Sequence, residues 1–543
     1  MSLKAQPWPD LPSDTARVAR AAFRRGSLYL TLGDKVGQLF GDADLADLYA
    51  LEGSPGYSPA QLTMVLIFQA MENLSDRDAA EAVRARIDWK YALHLRLDDT
   101  GFDYSVLSEF RERLIRHEAG ARLLNIVLER LETLGLVKPG RQRTDATYVV
   151  SAARLLNRLE LLVETMRMTL ETLAVDYPDW LRRIALGHWV ERYALGWRGV
   201  RLPRSQAERE KLGDAVGQDG FYLLEQAQGA GAPEGLAEHG SLTLLAQVWR
   251  QQYEQGPEGP RLRPGGSLPA GDELINTPHD PEARYSEHGS HTWVGYKVHL
   301  TETCGEDAPR LITHVEVTRA TQPDVATLDD VHQALQQEER LPSEHLVDRG
   351  YMAGHTLRES QAYGVDLIGM VLDDTSWQAQ GGGFTTAAFR LDWEHKHAEC
   401  PEGQTATTWS ESHDDFGRPV IHVRFDKHRC QRCASRAQCT RSAQGRSLKL
   451  SRDHQTILQA RERQATSEFR YIYAKRSGIE GTISCATQAH GARQSRYIGL
   501  AKTWLQQLMV AIAIDLQRAA AWLDGWRPAT TRLSHLKTVL AAA

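Results

Sequence analysis

TWVGYKVHLTETCGEDAPRLITHVEVTRA, residues 292–320, reads as two strands, 292–303 and 310–320, rich in β-branched and aromatic residues and parted by the turn-like CGEDAP. Downstream, DVATLDDVHQALQQEE (324–339) has helical spacing and leads into a strand ending at Leu346, Val347 and Asp348. A helix near Thr356 to Tyr363 and a strand, VDLIGMV (365–371), come next. Strand, strand, helix, strand, helix, strand is an α/β order. Far upstream, QRTDATYVV (142–150) supplies one more short strand.

Around this core the chain is mostly helical. Ser58 and Ser75 stand as N-caps before PAQLTMVLIFQAMENL (59–74) and DRDAAEAVRARIDWKYALHL (76–95), and a third helix is expected over 104–136. Arg84, Arg86, Arg111 and Arg113 near its turns suit a unit that lays a helix in a DNA groove, or equally a bundle with solvated arginines. Helical material rich in Leu and Arg runs from Ala152 to about Leu212, and Gly229 to Gly271, dense in Gly and Pro, reads as an insertion or linker. The expected division is a helical region (1–138), a first catalytic strand (139–154), a mostly helical and linker insertion (155–275), an α/β core (276–374), a Cys-rich insertion (375–450) and long closing helices (451–543). No repeat at solenoid periods occurs.

Bulk properties exclude several classes. At 543 residues, with 42% hydrophobic and 25% charged residues, the chain suits a folded protein of several domains. The apolar run from Leu505 to Leu516 falls short of a membrane span, and the N-terminus has no secretory signal pattern, so no membrane partner and a cytoplasmic location are expected. Six cysteines are too few for a disulfide scaffold. The net charge of -6 does not invite DNA globally, yet from Arg452 onward 13 Lys or Arg face 6 Asp or Glu, enough for a local basic face.

Asp145 begins a strand and Asp348 ends one, each beside residues that would leave a carboxylate exposed at a strand edge or end. Glu480 lies in a helical stretch between Gly478 and Gly481, an expensive choice unless something such as a phosphate backbone approaches closely. Three carboxylates suit two Mg²⁺ or Mn²⁺ ions, which prefer oxygen ligands and serve phosphodiester chemistry.

TDATYV, LVDRGY and YAKRSGIEGTIS resemble the three acidic motifs of bacterial insertion-sequence DDE transposases, whose catalytic domain is RNase H-like. Tyr473, Arg476 and Glu480 match the spacing of the tyrosine-arginine-glutamate signature of one such group. Its final lysine would fall at 487, which is Thr here, so that contact is either lost or moved to Arg493 or Lys502. GARQSRYIGLAKTWLQQLMVAIAIDLQRAAAWL (491–523) is similar to the family's closing helices, and FRERL (110–114) belongs to a region similar to its helical DNA-binding unit.

The resemblance implies an RNase H-like α/β core with an all-α N-terminal domain, and Asp145, Asp348 and Glu480 as metal-binding catalytic triad. It also implies Tyr473 and Arg476 on the phosphate backbone, with Arg493, Arg496 and Lys502 extending the basic track. The partners would be transposon terminal inverted repeats and target DNA, met by a homodimer at synapsis on the bacterial nucleoid. The reaction would be end cleavage and strand transfer. A metal-dependent endonuclease without integration and a domesticated, non-catalytic DNA-binding zinc protein are the alternatives.

Cys400, Cys430, Cys433 and Cys439 include a CxxC pair and suit tetrahedral zinc, with His395, His397, His413 and His428 as nearby substitutes and Arg429, Arg432, Arg436 and Arg441 around the pair for DNA contact. Asp280, Glu282 and Arg284 resemble a family segment expected to order the active-site rim, while His279, His288 and His291 read as solvent-exposed loop residues. Cys304 and Cys485 read as small core or loop residues.

Overall fold

The computed structural model describes the chain except residues 139, 195–202, 204, 257–258, 415–416, 528–538 and 540–543. After a leading helix, Ser13–Ala22, helix α1 (Pro59–Glu72) starts where Ser58 Oγ accepts the Gln61 N–H at 3.2 Å. Ser75 caps α2 (Asp76–Ala85) in the same way. The single helix expected over 76–95 is broken at Arg86, which is extended and forks to Glu72 at 2.6 Å and to Asp88; a short helix, Ile87–Ala92, follows the corner. The helix expected over 104–136 also breaks, at left-handed Glu118, into α3 (Ser105–Arg116) and α4 (Gly120–Thr133). Gly120, the first residue of α4 after the corner, lets the Trp504 ring pack close, since a Cβ there would come 2.4 Å from it.

Strand β1 (Arg141–Val150) is followed by an insertion with its own core. Helices α5 (Arg158–Asp176), α6 (Gln206–Gln228) and α7 (Gly240–Gln252) meet there through Leu162, Val216, Leu245 and Trp249. The Gly- and Pro-dense stretch 229–271, expected to be loose, thus holds α7 and a hairpin, Tyr253–Gly256 with Gly259–Leu262. Leu242, Leu245, Val248 and Trp249 keep helical spacing and are buried, which outweighs the flanking turn formers.

The central sheet adds β2 (Arg284–His288), β3 (His291–Thr303), β4 (Ile312–Arg319), β5 (Glu344–Val347) and β6 (Asp366–Ile368). β1 lies between β3, antiparallel, and β5, parallel; β3 also pairs antiparallel with β2 and β4, and β5 pairs parallel with β6. Helix α8 (Leu328–Gln337) connects β4 to β5 and α9 (Gly354–Ala362) connects β5 to β6, as the sequence order requires.

The cysteine segment forms a three-stranded sheet, Ala406–His413, Pro419–Phe425 and Ser447–Ser451, over a core of Val423, Phe425, Leu448 and Leu450. The closing region is more broken than the long helices expected: His454–Gln464, Ser467–Tyr473, a 3-10 turn at Ala474–Ser477, α10 (Gly478–Ala489) and α11 (Leu500–Leu523). α11 is apolar on every side from Leu508 to Ile514 and fully buried there, as such helices must be. It joins α1, α3, α4 and the sheet in one core, and among the described residues no helix is long and apolar enough to cross a membrane.

Candidate active site

The register of the sheet brings the first two carboxylates together. Thr144 on β1 pairs with Val347 on β5 in parallel, so Asp145, the next residue of β1, lies beside Asp348, which follows the end of β5. Beneath them lies a buried polar chain. Thr144 Oγ1 contacts Thr301 Oγ1 and His345 Nε2, both at 2.6 Å, and His345 Nδ1 meets His332 Nε2 at 2.8 Å. His299 Nδ1 holds the Tyr351 hydroxyl at 2.6 Å and so braces the turn that follows Asp348. Burial pushes His299 and His332 down to about 4 and His345 well below the usual imidazole range, so all three are neutral at pH 7.

Glu480 arrives in the first turn of α10, and Arg476 one turn earlier. Arg476 Nη1 donates to Asp145 Oδ2 at 3.0 Å and Nη2 to Glu480 Oε1 at 3.0 Å. Burial raises the Asp145 carboxyl, and the charge of Asp348 adds to this, while the Ala146 N–H and Arg476 oppose it. Burial works against the Arg476 charge, but Asp145, Asp348 and Glu480 overcome it and hold the guanidinium more firmly protonated. Tyr473, raised by burial, stacks on Phe469 with ring centroids 5.4 Å apart.

The donor set fits hard divalent cations. Asp145 and Asp348 repel each other, all three groups offer oxygen, and a cationic group already lies against two of them. Among the described residues no group of three or more His, Cys, Asp or Glu is gathered closely enough to hold a metal ion.

The expected basic track is largely tied up within the chain. Arg493 donates to Thr147 Oγ1 at 2.7 Å and covers the Tyr148 ring at 3.8 Å. Arg496 donates to the Asn73 carbonyl at 2.5 Å and to the Leu74 carbonyl, and Lys502 faces Glu112 at 3.4 Å. Thr487 turns to its own helix, donating to the Ile483 carbonyl at 2.8 Å. In the N-terminal helices Arg84 pairs with Glu81, Arg86 with Glu72 and Asp88, and Arg111 with Asp76, while Arg113 covers the Tyr49 ring.

The glycines around Glu480 need a different explanation from the one expected. A Cβ at Gly478 would lie 2.2 Å from the Arg143 guanidinium, so what approaches closely is the chain's own arginine; Gly481 has open space. Asp280 is buried between the Ser151 and Tyr296 hydroxyls, Glu282 accepts the Leu500 N–H at 2.8 Å, and Arg284 donates to the Asp272 carbonyl. His288 and His291 are exposed, but His279 is half-buried and meets Glu164 at 2.9 Å.

Cys400, Cys430, Cys433 and Cys439 line one small cavity, and Cys400 Sγ accepts the Gln404 N–H at 3.3 Å. Burial raises the Cys439 thiol, and the other three cysteines add to it against Arg446. The four do not form a closed ligand set in this structure. Cys304 is buried and Cys485 half-buried, both in hydrophobic clusters.

Four residues at the site escape a sequence reading: Arg143, Glu302, Thr482 and Arg518, which meet beneath Glu480. The one available signal was Gly478, whose missing side chain makes room for Arg143.

Two families match the chain. Residues 399–520 match the family described as Transposase DDE domain, and residues 18–113 that described as Transposase domain (DUF772). The first match contains Glu480, Arg476 and the four clustered cysteines; Asp145 and Asp348 lie outside both. No curated protein matches. An α/β core with segments that match transposase families on both sides of it in the sequence points to the transposase class. More particularly, the two matches support an insertion-sequence DDE transposase, the family the acidic motifs resemble.

Proposed function

We propose that the chain cleaves DNA at transposon ends and transfers the strands to target DNA, using an RNase H-like core in which Asp145, Asp348 and Glu480 hold two Mg²⁺ or Mn²⁺ ions. One observation carries this above all: Arg476 joins Asp145 to Glu480 at 3.0 Å each, so residues from two distant motifs meet beside Asp348. The sheet order, with β3 antiparallel to β1 and with β4, β5 and β6 running parallel to β1, supports the RNase H-like assignment.

When bound, the ions would activate a water or 3′-hydroxyl and stabilise the leaving oxygen. The chain's own residues do the rest. Asp145 and Asp348 are held rigidly by the sheet, whereas Glu480, 63% exposed, can move onto an incoming charge. Arg476 is placed to exchange a carboxylate for a DNA phosphate, which a guanidinium grips bidentately. Tyr473, half-buried beside it, offers a hydroxyl to the same backbone. Arg493 and Lys502 would extend that track after giving up their present partners, whereas Arg496, held by the Asn73 and Leu74 carbonyls, is the least free to join it. Two ends brought together imply a homodimer on DNA. The four cysteines, converging on one cavity, would hold a structural zinc ion.

The deciding test is Mg²⁺-dependent nicking and joining of a labelled fragment carrying the gene's flanking ends, with Asp348→Ala as control. Joined products that vanish in D348A are expected. Cutting without joining would point to an endonuclease, and binding without cutting to a domesticated DNA-binding protein.

A further inference from the structure

Arg143 stands two residues before Asp145 and is 2% exposed; Glu302, on β3 directly opposite it, is 0% exposed. Two charges buried this deeply are costly unless each is fully matched. Arg143 Nε donates to Glu302 Oε1 at 2.7 Å, Nη2 donates to the same oxygen, and Nη1 donates to the Lys475 carbonyl. The other oxygen, Oε2, accepts the Thr482 hydroxyl at 2.5 Å and Arg518 Nη1 at 3.0 Å, while Arg518 Nη2 donates to Thr482 Oγ1 at 2.6 Å. The start of α10 is therefore held on both sides of Glu480: at Lys475 and Gly478 before it and at Thr482 after it.

We propose that Glu302 and Arg143 are positioning residues that set Glu480 over the strand carrying Asp145. Neither reaches the reacting atoms; both act through α10. The proposal rests on Glu480 being the third metal-binding carboxylate. Arg143 cannot yield to a side chain at 478, because three hydrogen bonds fix its guanidinium. A Cβ at 478 must therefore push α10, and Glu480 with it, away from the sheet.

Gly478→Ala separates positioning from bulk stability. Overpacking of this kind costs about 1–3 kcal/mol, which lowers the melting temperature but by itself leaves the Mn²⁺ affinity of a folded chain unchanged. Displaced ligands instead cost about 10–100-fold in metal affinity or rate. Thr482→Val, which loses the hydroxyl, and Thr482→Ser, which keeps it, form an independent pair. The measurements are Mn²⁺ affinity by calorimetry, nicking rate and KM for DNA, and melting temperature. We expect G478A and T482V to remain folded and to lose roughly 10-fold or more in Mn²⁺ affinity and nicking kcat with little change in KM, and T482S to match the unmodified chain.

Mn²⁺ affinity and nicking within about twofold of the unmodified chain in G478A and T482V would overturn the proposal, well below the effect of a displaced ligand. Should G478A fail to fold, the T482V and T482S pair decides it. A chain that binds Mn²⁺ but cuts no DNA sinks the transposase assignment while the affinity comparison still tests positioning. A chain that binds no Mn²⁺ overturns both.

Discussion

Arg476 lies between Asp145 and Glu480, 3.0 Å from each carboxylate, and so supplies the positive charge that the acidic cluster needs before any metal binds. A divalent ion entering there competes with the guanidinium. Arg476→Ala is expected to bind Mn²⁺ at least as tightly as the unmodified chain, because the competitor is gone. Nicking should still fall by about tenfold or more, and the salt dependence of DNA binding should lose about one phosphate contact. Calorimetry, nicking rates and a salt series check the three together. Weaker Mn²⁺ binding with unchanged nicking would show that the arginine serves the carboxylates and not the DNA.

Arg496 gives a contrasting case. Its guanidinium closes on the carbonyls at the end of α1, Asn73 at 2.5 Å and Leu74, so it ties the closing region to the N-terminal helices. Arg496→Ala should lower stability by about 1–2 kcal/mol through those lost bonds. DNA affinity should stay within about twofold if the arginine makes no phosphate contact. Melting curves and binding isotherms for the one variant separate the roles, and lost affinity at unchanged stability would restore Arg496 to the DNA surface.

Sequence made the sheet legible and left its supports hidden, for physical reasons. β3 and β4 announce themselves because Val, Ile, Thr and Tyr crowd into short runs, and Asp145 and Asp348 stand out as charges at strand positions. Breaks at Arg86 and Glu118 were hidden because both lie in stretches of good helix formers: the fork from Arg86 to Glu72 and Asp88 and the left-handed backbone at Glu118 show only in the folded chain. Helix α7 was masked by its Gly- and Pro-rich neighbours although its apolar spacing was intact. Glu302 was invisible as a site residue, since an acid in a strand usually faces water; only its partners on β1, α10 and α11 show why it is buried.

Zinc in the cysteine segment has a direct test. Cys400, Cys430, Cys433 and Cys439 face one cavity above the small core of Val423 and Leu448. Purified chain should carry about one zinc ion per molecule, the stoichiometry of a four-thiolate site. Cys430→Ser with Cys433→Ser should abolish it and lower the melting temperature. Metal-free protein with the same melting curve as that double variant would remove zinc from the account.

Asp515, midway along α11, is completely buried: Oδ1 accepts the Ile312 N–H at 2.8 Å, and Oδ2 has no hydrogen-bond partner among the described residues. Burial holds its carboxyl well above the usual range, against the Ile312 N–H and the Arg518 charge. A carboxyl that binds its proton more tightly in the folded chain than in the unfolded one favours folding at low pH. That advantage is lost as pH rises from the unfolded value near ~4 toward the native one. Asp515→Asn keeps the acceptor for Ile312 and has no proton to lose. It should match the unmodified chain near pH 4 and exceed it at pH 8 by roughly 1–3 kcal/mol, the scale of a buried polar group left unmatched. Melting temperatures across that range decide the matter. A D515N chain that is the less stable at pH 8 would mean that Asp515 is ionised and that Arg518 compensates its charge.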